Sequence, residues 1–481
     1  MRSPATRVPP HLPLAVLALL TARPAPAGEP DRPNADGRPN LIVLMTDDQR
    51  SDALGCTGSP VLCTPHIDGL AARGVLFENA FTTTAICMTS RACVLTGQHA
   101  ARHGVRDFAT GLTPEQIRNT YLGRLHAAGY RTGFVGKWGV GDPRTADPVL
   151  DFNRGFPGQG RYFPDAPKRG VKAGRHLTAT MGDDAVEFLD GCEPGAPFHL
   201  SVSFKAPHVQ DSRNITDDVF PSDPALSPLY DDVTFPPPPT AAPAHHDRLP
   251  DFLKNSLLRD RWAVRFRSPA RYQQCVRDYH RLIAGVDAVV GRVRATLEER
   301  GLAGNTVVVF TSDHGFFLGE YGLAGKWTPH EASIRVPLIL FDPRAGLART
   351  RRRTEPALLI DVAPTLLDYA GVDVPDVMQG ESLRPLADGE DPDRWRTEWF
   401  YEHHFEAGGR IPPSEGVRSE RWKYARYLMP GDLEEGTARW EELYDLSVDP
   451  HETTNLAADP AHAATLADRR AAWARWRERV K

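Results

Sequence analysis

The sequence predicts an α/β protein: a large mixed, mostly parallel sheet flanked by helices, followed by a small C-terminal antiparallel sheet with a helix. Three observations carry this. Leu41-Ile42-Val43-Leu44-Met45 is an unbroken apolar run ending in Thr46-Asp47-Asp48, the pattern of a strand buried on both faces. Similar runs alternate with segments of helical period, the order of strand–helix–strand units. After about Leu386 the pattern changes to short aromatic-rich strands closed by one charged helix.

The elements follow in order. Residues 65–73 read as a helix with Ile67, Leu70 and Ala71 on one face, and residues 121–128 as another. Further strands are read at 130–136, ending at Lys137, at 198–204, ending at Lys205-Ala206-Pro207-His208, at 306–311, ending in Ser312-Asp313-His314-Gly315, and at 336–341. Residues 272–300 form a long amphipathic helix. The stretch 211–269 has little periodicity and contains Phe235-Pro236-Pro237-Pro238-Pro239; it reads as a surface excursion that walls a site. Beyond Leu386, Trp399-Phe400-Tyr401, Gly416-Val417-Arg418, Trp422-Lys423-Tyr424 and Leu443-Tyr444-Asp445-Leu446 are strand-like, and 461–480 is a charged helix. No internal repeat is present.

At 481 residues the chain suits two domains, or one large α/β domain with an appendage. With 41% hydrophobic and 25% charged residues it reads as an ordinary globular protein, and a net charge of -5 argues against a nucleic-acid binder. Arg2 and Arg7, the apolar stretch 12–20 and Ala25-Pro26-Ala27 read in that order as a signal peptide over residues 1–27, the alternative being a disordered Pro/Ala-rich tail. The expectation is an exported protein, periplasmic or extracellular, with no membrane span. Export permits disulfides, and Cys56 and Cys63 flank a turn across which they could pair. Connectivity is not readable from spacing.

In sheets of this kind ligand sites lie beyond the carboxyl ends of the strands. Asp47, Asp48, Lys137, His208, Asp313 and His314 all fall there. Three carboxylates in one place repel one another unless a cation neutralises them, and oxygen-rich ligation favours a hard ion, calcium or magnesium; the plainer reading is helix-cap or turn aspartates. Lys137 in Gly136-Lys137-Trp138 and Lys326 in Gly325-Lys326-Trp327 follow glycines, which let a backbone approach a ligand while the ammonium reaches it. Cys87 stands at the predicted start of a helix, four residues before Arg91. A helix N-terminus and a guanidinium both favour an anion and lower a thiol pKa, whereas a lone Cys is more often a core residue. A metal, one Arg, two Lys and a His around a Cys describe a hydrolase acting on an oxyanion ester.

The chain resembles the formylglycine-dependent (type I) sulfatases of the alkaline-phosphatase-like superfamily. The resemblance rests on residues 38–48 and 64–71, the Cys87 segment with Leu95-Thr96-Gly97, Gly136-Lys137-Trp138, Ala206-Pro207-His208, Thr311-Ser312-Asp313-His314-Gly315, Gly325-Lys326-Trp327 and Leu443-Tyr444-Asp445-Leu446, in the family's order over nearly all the chain beyond residue 38. It implies a sulfatase domain over 38–385 and a C-terminal subdomain over 386–481. By the same resemblance a maturation enzyme oxidises Cys87 to formylglycine (3-oxoalanine). Asp47, Asp48, Asp313 and His314 then hold Ca2+ with residue 87, and Arg91 holds the formylglycine hydroxyl. Lys137 and Lys326 bind sulfate oxygens, and His208 protonates the departing alcohol. The implied substrate is a sulfated carbohydrate, with His403, His404, Arg410 and Arg418 as residues lining its pocket or, equally, exposed strand and loop residues.

Two positions depart from the family pattern. Thr89 stands where Pro or Ala is usual, in the segment the maturation enzyme reads. Gly139 stands where a His is usual; either another group replaces it, with His103 as a candidate, or the site works without one. Two other functions therefore remain open: a phosphonate or phosphodiester hydrolase of the same superfamily, and a non-catalytic binder of sulfated glycans that leaves Cys87 unconverted.

Overall fold

Strand β1 (Asn40–Asp47) is buried at every position. Ile42 and Leu44 enter one hydrophobic core, Leu41, Val43 and Met45 a second on the opposite face. Both faces of the sheet are covered, so the strand has no polar alternation to show. The computed structural model describes residues 34–59, 61–211, 219–433 and 436–481; the signal-peptide reading at 1–27 lies outside them.

With β2 (Val75–Phe77), β3 (Arg131–Lys137), β4 (Phe152–Phe156), β5 (Phe198–Pro207), β6 (Thr306–Ser312), β7 (Leu338–Phe341) and β8 (Arg351–Arg353), β1 forms an eight-stranded sheet of order β8-β2-β7-β6-β1-β5-β3-β4. The strands β6, β1, β5, β3 and β4 run parallel, and only β7 is antiparallel to both its neighbours. Leu41 registers with His199 on one side and Val307 on the other. That register brings the carboxyl ends of β1, β3, β5 and β6 to one edge.

One core is covered by α1 (Pro65–Ala72), α4 (Leu177–Asp190) and α5 (Pro269–Glu299), the other by α2 (Cys87–Thr96), α3 (Tyr121–Ala127) and α6 (Val362–Ala370). Helix termini leave donors unpaired, and α5 answers those of α1: Asp287 accepts from the backbone N–H of His66 at 3.0 Å and of Ile67 at 2.8 Å. The aperiodic stretch after residue 211 contains short helices, among them Leu257–Arg265. Each is too brief to display a period.

Strands β9 (Glu398–His403), β10 (Ser414–Ser419), β11 (Trp422–Leu428) and β12 (Ala438–Asp445) form a separate antiparallel sheet in sequential order. Along β9, Phe400 packs with Val417 and Ala472 of helix α7 (Ala463–Arg479), while Trp399 and Tyr401 pack with Phe81, Cys93 and Ile334 of the larger body. This is the period-two alternation of a sheet held on both sides. Tyr401 donates to the carbonyl of Trp327 at 3.0 Å, so the second sheet braces the segment that carries Lys326. All six cysteines are free thiols; Cys56 and Cys63 are not joined. Among the described residues, no helix is long and apolar enough to cross a membrane.

Candidate active site

Helix α2 begins at Cys87, with Ile86 as an extended N-cap, and all ten of its residues are buried. The carboxyl ends of β1 and β6 face it. Cys87 Sγ lies 3.5 Å from Asp47 Oδ1, 3.4 Å from His314 Nε2 and 3.2 Å from Lys326 Nζ. Arg91, one turn on, donates from Nε to Asp313 Oδ2 at 3.1 Å and from Nη2 to Asp47 Oδ2 at 2.9 Å. Lys137 donates to Asp47 and, at 2.6 Å, to Gln159 Oε1. Lys326 also donates to Asp48 Oδ1 at 2.8 Å. His208 Nε2 is 3.6 Å from Asp48 Oδ2. All of the cluster drawn from the strand ends is thus in one place, together with Cys87, Arg91 and Lys326.

The electrostatics follow from burial set against dense opposite charge. Burial pushes the Asp47 carboxyl up, but Lys137, His208, Arg91 and Lys326 outweigh it and hold it well below the usual range. For Asp48 burial wins over Lys326 and His314, and its pKa is raised. Burial and Asp47 disfavour the Cys87 thiolate, yet Lys137, Lys326 and His314 bring the thiol below its ordinary value. Burial opposes the His314 imidazolium; Asp313 and Cys87 overcome it and lift His314 to about 9. Burial and then Lys326 drive His208 well below its ordinary value. Its Nδ1 is 2.8 Å from the Val209 carbonyl, which also accepts from Lys205 Nζ at 3.0 Å.

The donor set fits a hard cation. Ligand atoms of Asp47, Cys87, Asp313 and His314 lie within 4.8 Å of one another, as do those of Asp47, Asp48 and His208. Among the described residues Asp48 Oδ2 is buried without a hydrogen-bond partner, a costly state for a carboxylate oxygen unless a cation meets it. Backbone strain collects here too: Asp48 has φ 66° and Trp327 φ 86°, conformations that cost non-glycine residues free energy and cluster at functional sites.

Of the two glycine–lysine pairs, Gly136 serves packing, since a Cβ there would meet the Ser203 carbonyl of the neighbouring strand at 2.3 Å, whereas at Gly325 the nearest atom, of Trp327, is 3.5 Å away. Gly139 has φ +77°, and a Cβ there would meet Arg91 Cδ at 2.6 Å. A histidine is excluded by the position Arg91 takes. His103 does not substitute for it, since its Nε2 lies 3.3 Å from Cys93 Sγ, behind α2. Gln159, which the sequence reading missed, contacts Lys137 instead.

A cleft of about 1050 Å³ opens from Cys87 and Lys137, lined by Phe108, Gly139, Gln159, Arg161 and Lys168 among others. None of His403, His404, Arg410 and Arg418 lines it. His403 is buried against the Phe405 carbonyl, and His404 lies 3.0 Å from Glu415. Arg418 pairs with Glu331 over the Phe81 ring, and Arg410 pairs with Asp260 on the surface. The partners of these four side chains are the Phe405 carbonyl, Glu415 of the second sheet, Glu331 of the larger body and Asp260 on the surface. The second sheet meets the cleft instead through Phe405, edge-on to Phe108 at 5.1 Å.

Known proteins share this arrangement of strands and chain. The family model for sulfatases matches residues 39–372, and that for the N-sulphoglucosamine sulphohydrolase C-terminal region matches residues 319–478. The chain is 30% identical to an N-acetylglucosamine-6-O-sulfatase of Bacteroides thetaiotaomicron, over 94% of this chain and 87% of that protein. It is 28% identical to an arylsulfatase of Clostridium perfringens, over 87% and 90%. A multifunctional alkaline phosphatase superfamily protein, PehA, of Trinickia caryophylli is 29% identical over 90% and 93%. One solved structure, a protein in complex with its substrate D-glucosamine-2-N,6-O-disulfate, superposes with a TM-score of 0.76 at 27% identity and covers 92% of this chain and 98% of that one. A phosphonate monoester hydrolase of Agrobacterium radiobacter shares the fold, with a TM-score of 0.73 at 24% identity over 92% and 96%. With a family match spanning most of its length, and relatives aligned nearly end to end, the chain belongs to the type I sulfatase family.

Proposed function

We propose that this sulfatase hydrolyses sulfate esters of a sulfated carbohydrate, with residue 87 as the attacking group. The observation that carries the reading is the convergence of Lys326, His314 and Asp47 on the Cys87 side chain at the start of a buried helix. The glucosamine sulfates acted on or bound by the relatives make a sulfated amino sugar the first substrate to try. In this reading a maturation enzyme converts Cys87 to formylglycine, whose hydrated aldehyde supplies the nucleophile. Asp47, Asp48, Asp313 and His314 hold Ca2+, which supplies positive charge to the ester.

The remaining work belongs to the chain's own side chains. Lys137 and Lys326 bind sulfate oxygens and stabilise the charge that grows on them. Arg91 fixes Asp47 and Asp313 against each other. His208 is oriented through Nδ1 by the Val209 carbonyl, while Tyr162 donates to its own carbonyl at 2.7 Å. With the Nδ1–H spent on the Val209 carbonyl, Nε2 can pass a proton to the departing oxygen only from the imidazolium, a form that the negative charge of a bound sulfate ester favours against burial and Lys326. Export and recognition by a maturation enzyme despite Thr89 are part of the same proposal, as are the roles of the individual site residues.

A second reading, hydrolysis of phosphonate or phosphate diesters, is favoured by the 29% identity to PehA and the shared fold of a phosphonate monoester hydrolase. The test is release of sulfate from sulfated sugars and an aryl sulfate, beside phosphonate and phosphodiester controls. The chain is co-expressed with a maturation enzyme and supplied with calcium. Sulfate release with negligible turnover of the controls is the expected result. Faster turnover of the diesters selects the second reading. No turnover of any ester by converted protein contradicts both and leaves a non-catalytic binder.

A further inference from the structure

We propose that Arg261 and Arg265 form a subsite for a second acidic substituent, sulfate or carboxylate, on the sugar that carries the scissile ester. The inference rests on the sulfated-sugar reading above and adds to it the class of sugar: one with at least two anionic groups.

Arg265 ends the short helix Leu257–Arg265 and is only 6% exposed. Among the described residues its Nη1 is buried without a hydrogen-bond partner, and the carboxylate paired with it is Asp211, with Oδ1 at 3.9 Å from Nη2; the same oxygen lies 3.8 Å from Arg261 Nη2. Both distances exceed a hydrogen bond. Asp211 Oδ2 in turn is 4.0 Å from His208 Nε2. Two guanidinium groups therefore face one carboxylate that makes no close contact with either. Burial and the neighbouring Arg261 charge drive Arg265 down to about 9, the signature of a cation short of counter-charge. Leaving a buried charge so poorly paired is expensive unless something else completes it, and planar guanidinium groups bind sulfate or carboxylate in two-point fashion.

The position fits a substituent of the substrate. Arg261 lies over the Trp327 ring, 4.7 Å from its centroid, and Trp327 directly follows Lys326. Asp211 stands between these guanidinium groups and His208. Neither arginine lines the cleft at Cys87 and Lys137; the pair is placed on the leaving-alcohol side by the line of contacts from Arg261 and Arg265 through Asp211 to His208, the proposed proton donor. The second sheet contributes to this wall, since Tyr401 holds the Trp327 carbonyl.

The test is calorimetric binding to the calcium-loaded full chain, produced without the maturation enzyme so that the ligands stay intact. The ligands are glucosamine 6-sulfate, glucosamine 2-N,6-O-disulfate, and glucosamine 6-sulfate linked to a uronic acid. The unsubstituted chain should bind at least one of the doubly acidic ligands about tenfold more tightly than the singly sulfated sugar, the gain of one charge-assisted contact. Which one gains tells sulfate from carboxylate. Arg265→Gln and, separately, Arg261→Gln should bring that ligand to within about threefold of the singly sulfated one, and Arg265→Lys should restore part of the preference. Arg261 is only partly buried, so Arg261→Gln keeps the test open should Arg265→Gln not fold. Equal binding of all three ligands, no binding, or a preference that survives both substitutions overturns the proposal. Hydrolysis of an aryl sulfate by the matured unsubstituted enzyme separates the two claims: no hydrolysis would count against the sulfatase reading, whereas hydrolysis without any ligand preference would count against the subsite alone.

Discussion

Two buried clusters of charge lie within one chain segment of each other, and they differ in what their charges point at. At the strand ends, Asp47, Lys326 and His314 all point at Cys87, and Asp48 keeps an oxygen without a partner. Behind the Trp327 segment, Lys423 Nζ reaches Glu331 at 2.7 Å, Glu452 at 2.7 Å and the Pro329 carbonyl at 2.9 Å, while Glu452 accepts from the Glu331 backbone N–H at 2.8 Å. There Lys423 is held by both carboxylates, and the open oxygen of neighbouring Glu442 belongs to a carboxyl that burial keeps protonated. Burial of ionisable groups alone does not mark a reactive site. Convergence of several charges on one nucleophilic atom does. The second cluster holds in place the chain that delivers Lys326.

Substitutions should separate the two. Lys326→Ala is expected to lower kcat/KM for a sulfate ester on the order of 10²–10³-fold, the scale of losing one donor to a growing anionic charge; with calcium present to answer Asp48, its Tm should fall less than that of Lys423→Met. Lys423→Met leaves Glu331 and Glu452 buried without their cation, which costs about 3–5 kcal/mol of stability. Its turnover, measured well below its Tm, should fall by less than about tenfold. Equal profiles for the two variants would erase the distinction.

Metal removal should act on the first cluster alone. A ligand bound to the folded state raises its stability by mass action, so chelation should lower Tm of the unsubstituted chain and restored calcium should recover it. Asp313→Asn should respond to neither. A Tm indifferent to chelation in both proteins would remove calcium from the account.

The smallest effect concerns Glu442, beside the Lys423 cluster. Burial, reinforced by Glu452, raises its pKa from 4.5 to about 8. A group that holds its proton more tightly when folded contributes stability below pH 4.5 that is lost as the pH climbs through about 8. Glu442→Gln should therefore gain in Tm relative to the unsubstituted chain at pH 9 compared with pH 5. A parallel pair of pH profiles would contradict this.

The central sheet was legible because β1 is covered on both faces and cannot alternate, and because Asp47, Lys137, His208 and Asp313 terminate strands whose register the sheet then aligns. The buried helix at the strand ends was legible through Cys87 and Arg91 one turn apart. What escaped has physical reasons. Arg261 and Arg265 ride on a helix of nine residues inside an aperiodic stretch, where no pattern distinguishes a buried guanidinium from a solvated one. Gly139 reads as a missing histidine, yet it is the room that Arg91 needs. His403, His404 and Arg418 read as polar residues for a substrate, but their partners are internal: the Phe405 carbonyl, Glu415 of the second sheet and Glu331 of the larger body. Sequence shows which residues are polar, and only packing shows whether their partners are internal.

The central claim is that residue 87 is the reacting group, and the direct measurement pairs peptide mass with turnover. Preparations matured to different extents are digested, the Cys87 peptide is weighed, and sulfate release is measured on the same samples. The account predicts a peptide about 18 Da lighter than the cysteine form and a rate that rises in proportion to the converted fraction. Full activity in a preparation whose Cys87 remains a thiol would contradict it.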